Sequence, residues 1–141
     1  MPVPWKIREF RHLAGFQTIA PQVAAAGAAV NGVAIDTRSG PETGGAIVFF
    51  TIVGTRTGAV TSTINHQDSA DGSTGWADIP GAVDLIDTTG DRVYRRAVKR
   101  GTRIKRYVRI MVNPVGGTSV AVCGLVLVVG RRAIAIQAAQ T

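Results

Sequence analysis

Chemistry in this chain would have to come from few side chains. Two histidines, His12 and His66, stand far apart, and neither has a companion at a metal-ligand spacing such as His-x-x-x-His. Each reads as a surface or turn histidine. The single cysteine, Cys123, lies in an apolar run, where a free thiol behaves as a small buried hydrophobe. A nucleophilic cysteine needs a polar, partly exposed setting. One thiol also excludes an internal disulfide framework and a Cys-rich zinc site. The polar stretch from Asn65 to Asp78 gathers Asp68, Asp71 and Asp78, oxygen donors of the type Ca²⁺ takes, but their spacing fails the EF-hand pattern. It reads as a long surface loop with Asp and Gly turns, pinned to the body by Trp76. Trp76 is also the residue a sugar-binding module would use to stack on a ring. Asp84, Asp87 and Asp91 read as a solvated edge rather than an acid–base pair. No Gly-x-Ser-x-Gly elbow and no phosphate-cradling glycine loop is present. The expectation is a non-enzymatic protein with no cofactor, no metal and no small-molecule substrate.

Charge is the stronger signal. The net charge is +7 over 141 residues, with a pI near 10.8. Residues 1–56 carry +2, residues 57–91 carry −6 with no Lys or Arg, and residues 92–141 carry +11 with no acid. The stretch Arg92 to Arg109 holds nine basic residues, seven of them Arg, with Tyr94 and Tyr107 interleaved. On a hairpin such a stripe would suit single-stranded nucleic acid, with bases stacked on the tyrosines. Two features favour a protein partner instead. The acidic segment next to it repels phosphate, and Arg is preferred where carboxylates are paired in a planar, bidentate way. Segregated charge of this kind suits assembly, acidic patch to basic patch.

These side chains must be held by β-structure. Hydrophobic residues make up 45% and charged residues 18%, which argues against a wholly disordered chain. Seventeen Gly and six Pro punctuate short runs rich in Val, Ile and Thr. Strands are predicted over 29–36, 46–53, 58–66, 82–87, 92–98, 103–112 and 119–129. Short strands at this spacing predict an antiparallel sandwich or barrel. From 103 to 112, Ile104, Val108, Ile110 and Val112 share one face, and Arg103, Lys105, Tyr107 and Arg109 share the other. From 120 to 129 both faces are apolar, which predicts a strand covered on both sides, either in a central position under a loop or at a subunit interface. The run 46–53 behaves alike. The longest apolar run is too short for a membrane helix, and no signal-peptide pattern is visible at Met1 to Lys6.

The chain divides into an N-terminal arm at 1–28, a sandwich at 29–132 and a tail at 133–141. Trp5 and Phe10 would be wasted on a free tail, so the arm is expected to dock. Residues 19–30 are Ala-rich and suit either an extended or a helical backbone.

The design resembles the small virion proteins of tailed bacteriophages, in particular capsid cement or decoration proteins with a jelly-roll-like β-sandwich. The resemblance rests on the opening strand Val33-Ala34-Ile35-Asp36-Thr37-Arg38, the apolar run 46–53 and the connection Asp71 to Pro80. Lys105-Arg106-Tyr107-Val108-Arg109-Ile110 and the closing run 119–129 complete it. It implies an all-β, jelly-roll-like antiparallel sandwich with an extended N-terminal arm. It also implies a homo-oligomer, dimer or trimer, made in the host cytoplasm and bound to the capsid exterior. There it would reinforce contacts between subunits of the major capsid protein. Trp5, Phe10, Arg95, Arg96, Arg103, Lys105 and Arg109 are the contact residues such a role selects. The alternatives are a nucleic-acid-binding β-barrel using the stripe 92–109, or another phage morphogenesis part such as a head–tail connector or tail terminator. No membrane partner is expected.

Overall fold

The computed structural model describes residues 13–39, 45–86, 91–99 and 104–130. Among them the structure is almost wholly strand. The elements are β1 (Leu13–Ala25), β2 (Val30–Asn31), β3 (Ile35–Asp36), a short 3₁₀ turn at Thr37–Ser39, β4 (Ala46–Thr57) and β5 (Thr61–Ser69). They continue with β6 (Ala77–Ile86), β7 (Arg92–Lys99), β8 (Tyr107–Val115) and β9 (Ser119–Val129).

Two antiparallel sheets pack face to face. One has the order β1-β9-β4-β7. The other has the order β2-β8-β5-β6, with β3 also pairing β8. Because β2 and β3 share one position beside β8, the chain fills eight strand positions. Most connections cross from one sheet to the other, and the first strand lies next to the last. That topology is a jelly roll, a double sheet that leaves only short edges.

The core follows from two-residue periodicity. Ile47, Phe49 and Val53 of β4 and Val120, Val122, Val126 and Val128 of β9 point inward from the first sheet. Ile64 of β5 and Val108, Ile110 and Val112 of β8 meet them from the second. Full burial of a Val or Ile contributes about 1.5–3 kcal/mol, so this interdigitated layer dominates the stability. The predicted core side of the β8 region is therefore correct from Val108 onward, although the strand begins at Tyr107 rather than at residue 103.

Two further expectations change. The arm expected over 1–28 contributes a strand: Leu13–Ala25 pairs β9 from Leu13↔Val129 to Ala25↔Ser119. Two register shifts between Gln17 and Gln22 let it bend around the core. Trp5 and Phe10 lie outside the described residues, as does the tail 133–141. The predicted strand 29–36 is split at Gly32, whose N–H donates to the Ile110 carbonyl at 2.8 Å while Val33 N–H donates to the Thr18 carbonyl at 2.6 Å. The chain there clasps β1 of one sheet to β8 of the other. The inner face of β9 is buried, and Leu125 on its outer face is 37% exposed, so of the two covers predicted for that face the described residues of this chain do not seal it as a loop would.

Candidate functional site

The outer face of the β1-β9-β4-β7 sheet is apolar. Phe50 lies between Leu125 and Arg95 in the register, and Ile52 lies between Cys123 and Val93. Val48 lies between Leu127 and Ala97. Ile52 is 40% exposed and Val93 64%. The thiol of Cys123 is half-buried in this row, not sealed in the core. None of the four strands contains an Asp or Glu, while Arg95 and Lys99 stand exposed on β7. The result is a hydrophobic face with a basic margin.

The outer face of the other sheet is polar and internally wired. Gln67 of β5 lies between Arg109 of β8 and Asp78 of β6. Arg109 Nε donates to Gln67 Oε1 at 3.0 Å, Gln67 Nε2 donates to Asp78 Oδ1 at 3.0 Å, and Asn65 Nδ2 donates to Asp78 Oδ2 at 2.9 Å. The Arg109 guanidinium lies over the Trp76 ring, 4.3 Å from its centroid, within cation–π range. Trp76 thus does pin the β5–β6 connection to the body, through an arginine.

That connection is shorter than the sequence suggested, because β5 runs through Ser69 and β6 starts at Ala77. Asp71 organises the turn. Its Oδ1 accepts from Ser73 N at 2.9 Å and Thr74 N at 2.8 Å, and its Oδ2 accepts from Thr74 Oγ1 at 2.6 Å. These donors, the Thr74 hydroxyl first, hold its carboxyl far below the usual carboxylate range. Tyr107 packs beneath the turn, where a Cβ on Gly72 would come within 2.9 Å of its ring. Asp68 is buried and accepts from Lys105 N at 3.0 Å. The three carboxylates are consumed by structure, and no group of three or more metal-ligating side chains occurs among the described residues.

His66 lies in the core, not at the surface or in a turn as its sequence suggests. It is 1% exposed, with Nδ1 2.5 Å from the Ala82 carbonyl and its ring 4.6 Å from that of Phe49. Alternation places it on the inner face with Ser62 and Ile64. The polar neighbours Asn65, Gln67 and Asp68 hid that parity in the sequence.

The contact residues selected from sequence fall on separate surfaces. Arg95 is exposed on the apolar sheet, beside Phe50. Arg96 pairs in register with the buried Phe49, on the inner side of edge strand β7. Lys105 and Arg109 belong to the other sheet's side, and Arg103 lies outside the described residues. The stripe 92–109 is therefore divided between two sheets and is not one hairpin surface, because β7 pairs β4 and β8 pairs β5. Within the stripe, Arg106 pairs with Asp36 of β3, which lies outside the acidic segment 57–91. No helix among the described residues is long and apolar enough to cross a membrane.

An antiparallel jelly-roll β-sandwich is thus the class that the fold defines. No family model matches the chain, and no curated protein matches it. Solved structures do share the fold. The infectious bursal disease virus VP2 subviral particle aligns with a TM-score of 0.54 at 7% identity, over 82% of this chain and 32% of that one. The structure of the Gx strain of the same virus aligns at 0.53 and 7% identity, over 82% and 31%. The chain spans about a third of the length of these viral proteins. A Bacillus endospore appendage that forms disulfide-linked pili aligns at 0.47 and 13% identity, over 82% and 86%, too loosely to bear on the fold.

Proposed function

We propose that this chain is a non-enzymatic virion structural protein that binds the outer surface of an icosahedral capsid and reinforces contacts between major capsid subunits. The observation that carries the reading is the exposed apolar face of the β1-β9-β4-β7 sheet, with Phe50, Ile52 and Leu125 at its centre and Arg95 and Lys99 at its margin. Contiguous apolar surface rimmed by polar groups marks an interaction site. A sheet free of acid suits a partner that presents carboxylates around an apolar patch. The fold shared with a protein that forms a subviral particle supports the same reading. Many such contacts, each weak, gain strength by repetition over a shell. A homo-oligomer, dimer or trimer, would add to that avidity.

Co-sedimentation with capsids assembled from a major capsid protein encoded with this chain tests the proposal. Saturable binding at a fixed number of copies per shell supports it. A protein left in the supernatant at every ratio overturns it. The nucleic-acid alternative gains nothing from the geometry, because its basic stripe is split between two sheets.

A further inference from the structure

Arg109 and Arg106 stand on the same segment and differ in one respect. Arg106 is neutralised by Asp36. Arg109 meets only neutral groups among the described residues, the Gln67 amide and the Trp76 ring. Gln67 stands between Arg109 and Asp78, whose two carboxylate oxygens accept from Gln67 and Asn65. Burial pushes the Arg109 guanidinium below its usual range, as expected of a charge that has lost water and gained no anion. Nη1 and Nη2 have no hydrogen-bond partner among the described residues, and neither is a buried orphan. They belong to a half-buried side chain already fixed at Nε by Gln67 and stacked over Trp76.

We infer that Arg109, clamped by Trp76 and Gln67, is a preformed socket for one carboxylate of a protein partner. The inference deepens the assembly reading above and rests on it. Arg is the side chain that matches a carboxylate with two parallel N–H donors. Clamping it beforehand removes much of the ordering cost of binding. Aromatic and Arg residues are also those that dominate interface energetics. The neighbourhood favours a lone carboxylate over a phosphate chain. Asp78 lies one strand beyond Gln67 from Arg109, and its charge opposes a polyanion more strongly than a single carboxylate.

The test uses the full chain with N-acetyl-aspartate N-methylamide as the probe and inorganic phosphate as the comparator. The readout is the Trp76 indole and Arg109 Nε–H resonances. Saturable shifts are expected with the carboxylate probe. Arg109→Gln should weaken binding by about tenfold or more, and Arg109→Lys should not restore it, since the charge without the fork does not suffice. Arg95→Gln, on the opposite sheet, should bind as the wild type does. Linear shifts without saturation overturn the inference, as does a lysine variant that binds normally or phosphate that saturates at lower concentration. Capsid co-sedimentation separates the two claims. Loss of probe binding in Arg109→Gln with unchanged capsid binding overturns the socket's part in assembly and leaves the assembly reading standing. Probe binding by a wild-type chain that ignores capsids overturns the assembly reading and supports the socket.

Discussion

Arg106 and Asp36 form a two-point ion pair across 70 residues of sequence, with Nε on Oδ1 at 3.1 Å and Nη2 on Oδ2 at 2.8 Å. Beside it, Thr37 gives both its N–H and its hydroxyl to the Arg106 carbonyl, at 3.0 and 2.7 Å. Together these bonds fasten β3 to the segment entering β8.

The pair sets an acid dependence. The Arg106 guanidinium holds the Asp36 carboxyl below its ordinary value. Its contribution is therefore complete above the unfolded value near 4 and is lost as pH falls through the lower folded value. Asp36→Asn should lower Tm at neutral pH by no more than about 4 °C, since both groups are partly exposed. The gap from wild type should close as pH drops below about 4. Thermal melts at neutral and acid pH read this directly.

Thr51 should behave in the opposite sense. It is fully buried on the inner face of β4, and its hydroxyl has no hydrogen-bond partner among the described residues. A buried hydroxyl without a partner is destabilising. Thr51→Val should raise stability by about 1 kcal/mol, measured by urea denaturation. A fall in stability would mean that the hydroxyl is satisfied.

Gly32 marks the clasp between the two sheets. A Cβ there would come within 2.2 Å of Thr18 Oγ1 and 2.6 Å of the Ile110 carbonyl oxygen. Gly32→Ala should cost about 1–3 kcal/mol through overpacking, visible as a lower denaturation midpoint with the sandwich otherwise intact.

Phe50 separates assembly from folding. Its side chain lies on the outer face, between Arg95 and Leu125. Phe50→Glu should leave circular dichroism and Tm near those of the wild type while reducing capsid association by about tenfold or more. Equal loss of fold and association would mean that Phe50 serves the core instead.

The sheet class was legible because Val108, Ile110 and Val112 alternate cleanly with Tyr107, Arg109 and Met111. A period of two needs no tertiary information. β1 was not legible. Its Phe16, Ile19 and Ala24 are out of phase because the strand changes register twice, so no single alternation runs through it. The two apolar faces of β9 were read correctly as residue types. Sequence alone does not say whether a second apolar face meets the same chain or another molecule. Arg109 was selected for its charge, but its pairing with Trp76 spans residues 33 positions apart and depends on the β5–β8 register.

The central claim is that this jelly roll sits on the outside of a capsid shell. Cryo-electron microscopy of shells assembled with and without the chain measures that directly. The account predicts added density of one small sandwich per site, repeated over the outer surface at junctions between major capsid subunits, with the β1-β9-β4-β7 face against the shell. Unchanged shells, density on the inner surface, or density confined to a single vertex would contradict it.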